Sequence, residues 1–311
     1  MNRFVAWLPD HVDRRIRVFG WLSLASQIVI VGTGGLVRLT GSGLGCPTWP
    51  RCTDESFVAT PEMGVHGVIE FGNRLLTFVL IAIALITFVL LWRLRRQRRD
   101  LFWIAFALGA GIPLQGVVGG ITVLTQLNPY VVGLHFVVSA GLVALATVLV
   151  HRMHLVPGPR TRVVPGWYAG LAHATSAVLL VTLLAGIVTT GSGPHAGDGG
   201  AARTGLDPEF VQHVHAWPAY VLLALTLVLL IAGFARGLAP WRWALALLAV
   251  EAVQITVGLI QANTGLPPFL VGAHMVLACL AVATMTAFVL HLKAPAAVAA
   301  EASAPADAVT R

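Results

Sequence analysis

QGVVGGITVLTQLNPYVVGLH (residues 115–135) and QITVGLIQANTGLPPFLVGAH (residues 254–274) align without a gap. Both begin on Gln (Gln115, Gln254), place Gly four residues later (Gly119, Gly258), and pass through a Pro-containing turn (Asn128-Pro129-Tyr130, Pro267-Pro268-Phe269). Both close on Val-Gly-x-His, at His135 and His274. Chance pairing of Gly and apolar residues is common in apolar sequences, but a polar Gln and a His repeating at one spacing is not, so the chain carries an internal duplication. A second match pairs Thr40-Gly41-Ser42-Gly43 with Thr190-Gly191-Ser192-Gly193.

Working outward from these segments, apolar stretches of roughly 20 residues, enough to cross a ~30 Å hydrocarbon core, lie near 18–37, 68–92, 101–123, 131–151, 167–190, 212–234, 241–262 and 269–291. The 311 residues are 57% hydrophobic and 11% charged, with a mean hydropathy of +0.82, too little polar surface for a water-soluble domain of this size. The expected fold is an all-α membrane protein whose eight transmembrane helices form two tandem, parallel four-helix bundles. Residues 1–160 make the first half, 161–293 the second, and 294–311, rich in Ala, Pro, Glu and Ser, a disordered cytoplasmic tail. Four spans per half return the chain to its starting side, so the halves are related by an axis along the membrane normal.

The net charge of +7 is a matter of topology, not of nucleic-acid binding. With the N-terminus inside, the inner segments hold Arg3, Arg14, Arg15, Arg17, the five arginines of Arg93–Arg99, Arg152, Arg160, Arg162, Arg236, Arg242, Lys293 and Arg311; only Arg38, Arg51, Arg74 and Arg203 lie outside. The positive-inside rule then puts both termini in the cytoplasm. The first span follows a basic stretch, as a signal peptide does, but its length and the Gly-rich sequence after it predict a retained helix.

Of the 11 histidines, His11, His151, His154, His173 and His291 fall near cytoplasmic ends and His195 in an outer Gly-rich loop. His66, His213 and His215 open spans 2 and 6, and His135 and His274 open spans 4 and 8, all near the outer face. Ionisable residues in membrane helices mark a cofactor, a ligand or a pathway. Two His facing each other across a bundle form an axial pair for haem iron; a third and fourth ligand for zinc are not evident, and proton relay is the other use of such groups. Arg38 and Arg74 lie beside these helix ends, where a guanidinium grips a carboxylate such as a haem propionate or snorkels to lipid phosphate. Glu70, four residues from His66 and from Arg74, is an ion-pair partner or a proton acceptor. Glu251 has no equivalent setting in the first half and reads as structural. Cys46 and Cys52 share the first outer loop, where an intraloop disulfide, a redox-active thiol pair or metal delivery all suit the compartment; Cys279 reads as a small core residue.

Over all eight spans the sequence resembles the haem A synthases. The resemblance is carried by Gly34-Gly35-Leu36-Val37-Arg38-Leu39-Thr40-Gly41-Ser42-Gly43-Leu44-Gly45-Cys46-Pro47 with Trp49-Pro50 and Cys52, by Glu70-x-x-Asn73-Arg74, and by the His at the starts of even-numbered spans. It implies oxidation of the C8 methyl of haem O to a formyl group, with substrate haem in the first half and a haem b cofactor in the second. By position it makes His215 and His274 the haem b ligands, with His213 the alternative to His215. It sets His135 at the substrate iron, Glu70 at proton removal, and Cys46–Cys52 as an outer-loop disulfide. It further implies a haem O synthase and oxidase assembly proteins as partners, and a membrane electron acceptor. Many members of that family read Glu-x-x-His-Arg where this chain has Asn73, so either His66 takes that place or His135 holds the iron alone. A two-haem cytochrome b passing electrons from quinol is the competing function; a transporter would need polar groups at the midplane.

Overall fold

A computed structural model describes residues 7–295. Eight helices are long and apolar enough to span a membrane: α1 (Arg14–Leu39), α2 (Gly64–Leu91), α3 (Arg99–Leu124), α4 (Pro129–Met153), α5 (Gly166–Ser192), α6 (Pro208–Ala235), α7 (Trp241–Asn263) and α8 (Pro268–Leu290). Each coincides with an expected span to within a few residues at either end. The termini have local causes. The Asp13, Asn128 and Asp207 side chains accept the amides of Ile16, Tyr130 and Phe210, satisfying donors that a helix start leaves free. Pro129, Pro208 and Pro268 stand at the first helical position, where a missing N–H costs nothing.

In the first half (α1–α4), α1 packs on α2 and α4, and α3 on α2 and α4. In the second half (α5–α8), α6 packs on α5 and α7, and α8 on α7 and α5; α1 and α4 meet α8 across the junction. The first core gathers Ile16, Leu24, Leu91, Leu101, Val143 and Leu149, joined by Cys279 from α8. The second gathers Tyr168, Leu229, Leu247 and Phe288. Large side chains such as Phe78, Trp217 and Phe269 remain exposed, as bilayer-facing residues do.

One element was not expected. Residues Arg160–Arg162 (β1) pair antiparallel with Lys293–Pro295 (β2) in a two-stranded ribbon, register Arg162↔Lys293. Ala294 and Pro295, assigned from sequence to a disordered tail, are thus strand residues; the rest of that tail, 296–311, lies outside the described residues, as do residues 1–6. The Thr-Gly-Ser-Gly match also divides. Gly41 turns the chain out of α1 with φ +67°, whereas Thr190, Gly191 and Ser192 are still helical in α5.

Candidate functional site

His215 projects inward from α6 and lies against Gly186 of α5, where a Cβ would fall 2.8 Å from the ring. Its Nδ1 meets the Thr182 carbonyl at 2.9 Å, which makes Nδ1 the protonated nitrogen and leaves Nε2 as a lone-pair donor. His274 of α8 lies against Gly258 of α7, and its own carbonyl accepts from Gln254 Nε2 at 3.1 Å. The two rings face each other with centroids 6.2 Å apart and planes 80° apart. His274 Nδ1 is buried with no protein partner. Metal–imidazole bonds of about 2 Å from each side fit that gap, so the pair can hold one metal ion between two helices. His213, two residues away on α6, is exposed and bonds back to Glu209 O, facing away from His274.

The first half repeats half of this arrangement. His135 of α4 lies against Gly119 of α3, its carbonyl accepts from Gln115 Nε2 at 2.9 Å, and its Nδ1 is also buried without a partner. Gln115 also donates to Ser139 Oγ. At the place on α2 that the repeat matches to His215 stands Asn73, whose Oδ1 accepts from Thr33 Oγ1 at 2.8 Å. An amide oxygen is no strong ligand for haem iron. His66 does not substitute for it: it is exposed, two turns farther out, with Nδ1 2.9 Å from Ser42 Oγ. Asn73 lines a cleft of about 210 Å³ between α1 and α2, together with Thr33, Leu36, Val68 and Gly72.

Glu70 is buried and fully engaged. Oε1 accepts from Arg74 Nη2 at 2.6 Å, and Oε2 accepts the Cys46 amide at 2.6 Å. Arg74 also donates to the carbonyls of Arg51, Cys46 and Thr48, each at 3.0 Å. Of the alternatives left open for Glu70, the ion pair is therefore present, and Arg74 spends its donors on the loop. Cys46 and Cys52 are joined as a disulfide and both are fully buried. Gly45 lets the loop lie on α2: a Cβ there would fall 2.3 Å from the His66 carbonyl. Arg38 crosses the junction between halves, donating from Nη2 to the Thr190 carbonyl of α5 at 2.6 Å, while its Nε is buried without a partner. Among the described residues, no three His, Cys, Asp or Glu side chains converge as a metal-binding group.

Residues 17–286 match the model of the cytochrome oxidase assembly protein family, COX15-CtaA. The chain belongs to this family. Among curated relatives, it is similar to the haem A synthase of Halalkalibacterium halodurans, 30% identical over 44% of this chain and 45% of that protein. The haem A synthase of Alkalihalophilus pseudofirmus is 27% identical over 44% and 46%, and that of Listeria welshimeri 28% identical over 43% and 45%. The chain spans about half the length of these relatives. For a cytochrome oxidase assembly protein, the distinctive feature here is the inequality of the halves: a ring pair in one, and in the other a single imidazole with an amide at the place that the repeat matches to His215.

The contributors that sequence reasoning missed are backbone or small groups: the Thr182 carbonyl, Gly186, and the loop carbonyls on Arg74. Gly186 alone carries a signal, standing one turn before Thr190 on the span that faces His215.

Proposed function

We propose that this cytochrome oxidase assembly protein is a haem A synthase that oxidises one methyl group of haem O to a formyl group. The observation that carries the proposal is the inequality just described. His215 and His274 suit a permanently held haem b, which when bound supplies one-electron chemistry; their glycine-backed rings, facing each other 6.2 Å apart, fit it. His135 would hold the substrate haem iron from one side, and Asn73 would leave the other side without a protein ligand.

In this reading residues 1–160 form the substrate half and 161–293 the electron-accepting half. Gln115 and Gln254 fix the backbone at their histidines. Arg38 and Arg74 lie at the depth of the substrate propionates, Arg38 with one free donor toward them. Glu70 accepts a proton from the reacting methyl once the loop yields its amide. In each of two successive hydroxylations the methyl carbon would take an oxygen from water and give up two protons, one of them to Glu70, and two electrons, which would leave one at a time through the second half to a membrane one-electron acceptor; the resulting geminal diol loses water to the aldehyde. Both termini are cytoplasmic and both sites lie near the outer face.

The test is co-expression with a haem O synthase in a host lacking haem A, followed by haem extraction and mass analysis. Formyl haem should form with wild type and not with Glu70→Ala or Glu70→Gln. A bound haem with no conversion in wild type would instead indicate an electron-transfer cytochrome.

A further inference from the structure

Glu251 of α7 is 4% exposed. Its Oε1 accepts from Thr226 Oγ1 of α6 at 2.8 Å, and its Oε2 has no partner. Carried one turn inward from Gln254, the gapless repeat sets Glu251 against Ile112; the register that sets His215 against Asn73 sets Thr226 against Ala84. Ala84 and Ile112 are both buried in one apolar cluster. The same place is therefore an apolar contact in the first half and a hydrogen-bonded carboxyl in the second. Packing does not require the carboxyl, and a buried acid with one oxygen unsatisfied is costly.

Glu251, Gln254, Gly258 and Gln261 share one face of α7, rising past His274 to the outer end. The side-chain carbonyls of Gln254 and Gln261 also lack protein partners, so the stripe is polar along its length. The other titratable groups on the helices packed against α7 are few. On α6 they are His215, near the outer end with His213 and Glu209, and Tyr220, which is exposed; on α8 they are His274 and Cys279, the latter packed in the first core. The one Lys or Arg within α6, α7 or α8 is Arg242, nine residues from Glu251 and so about 14 Å along the helix.

We propose that Glu251 is a proton-binding group coupled to the electron stored in the second half. It takes up one proton, through the polar stripe from the outer face, when the iron between His215 and His274 gains an electron, and returns it when that electron leaves. The electron comes from the methyl carbon oxidised in the first half and passes to a membrane one-electron acceptor. In a low-dielectric site with no cation at hand, the proton offsets the added negative charge. This inference rests on the reading of His215 and His274 as haem ligands.

Optical redox titration of the purified, haem-loaded full chain across neutral pH tests it. The wild-type midpoint should fall with rising pH at the slope of one proton per electron, and Glu251→Gln should flatten it. The double variant Glu251→Ile with Thr226→Ala installs the first-half pair and should also be flat, with the haem absorption unchanged. A flat wild type, or the wild-type slope in either variant, overturns the proposal. Low-spin haem absorption surviving in His274→Ala would instead remove the ligand reading beneath it.

Discussion

Asn73 and His215 hold matching places on α2 and α6, and the contrast between amide and imidazole there is the sharpest chemical difference between the halves. Asn73→His should create a second ring pair with His135. The expected result is a new bis-histidine absorption with formyl haem still made, since many haem A synthases carry His at this place; loss of the formyl haem would tie the ligand-free side at Asn73 to the reaction. His215→Ala or His274→Ala should each lower the haem-to-protein ratio of the purified chain, while His213→Ala, whose ring bonds to Glu209 O, should leave it unchanged. The imidazoles, the glutamines and Glu70 were legible because each is a polar residue at a repeated or exceptional place in apolar sequence. The ion pair of Arg74 with Glu70 was legible from their spacing, but its three carbonyl contacts were not. Any residue supplies a carbonyl, so sequence carries no mark of them.

At the level of elements, the outer loop after α1 is fastened to α2 by Glu70, Arg74 and the Cys46–Cys52 bond. Arg74→Ala leaves Glu70 buried and unpaired, and loss of one partner of a largely buried pair costs about 3 kcal/mol. The detergent-solubilised variant should melt earlier and exchange the Cys46 amide faster; an unaltered melt would show that the disulfide alone holds the loop. Helix boundaries followed closely from the apolar runs, because length and hydropathy decide them in a bilayer. The Thr-Gly-Ser-Gly repeat did not translate into one structure, because Gly41 leaves its helix through a left-handed turn while Gly191 continues α5. At the start of α1, burial pulls the Asp13 carboxyl upward, but the Arg15 guanidinium and Ile16 amide outweigh it and hold it below the ordinary 3.8. A lowered folded value means that its capping contribution is present above pH 3.8 and lost as pH falls through the folded value. Asp13→Ala should remove about 1 kcal/mol at neutral pH and less in acid, read by thermal unfolding at both.

At the scale of the whole molecule, the distribution of Lys and Arg predicts orientation. A phosphatase reporter fused after Lys293 should be inactive and one placed in the loop carrying Cys52 active; the reverse pattern would invert the protein. The two-half architecture was legible from a gapless alignment of 21 residues per copy, ten of them identical, whereas the β1–β2 ribbon was not, since Arg160–Arg162 and Lys293–Pro295 carry no strand pattern and are brought together only by the positions of α5 and α8. That ribbon has an evolutionary meaning. The chain enters α5 and leaves α8 at neighbouring points, clasped by the Arg162–Lys293 register and by the Val163 amide on the Leu292 carbonyl. A unit whose entrance and exit touch can be copied or spliced beside another without rerouting the flanking polypeptide, so the two halves could diverge separately, one with a ring pair and the other with a single imidazole.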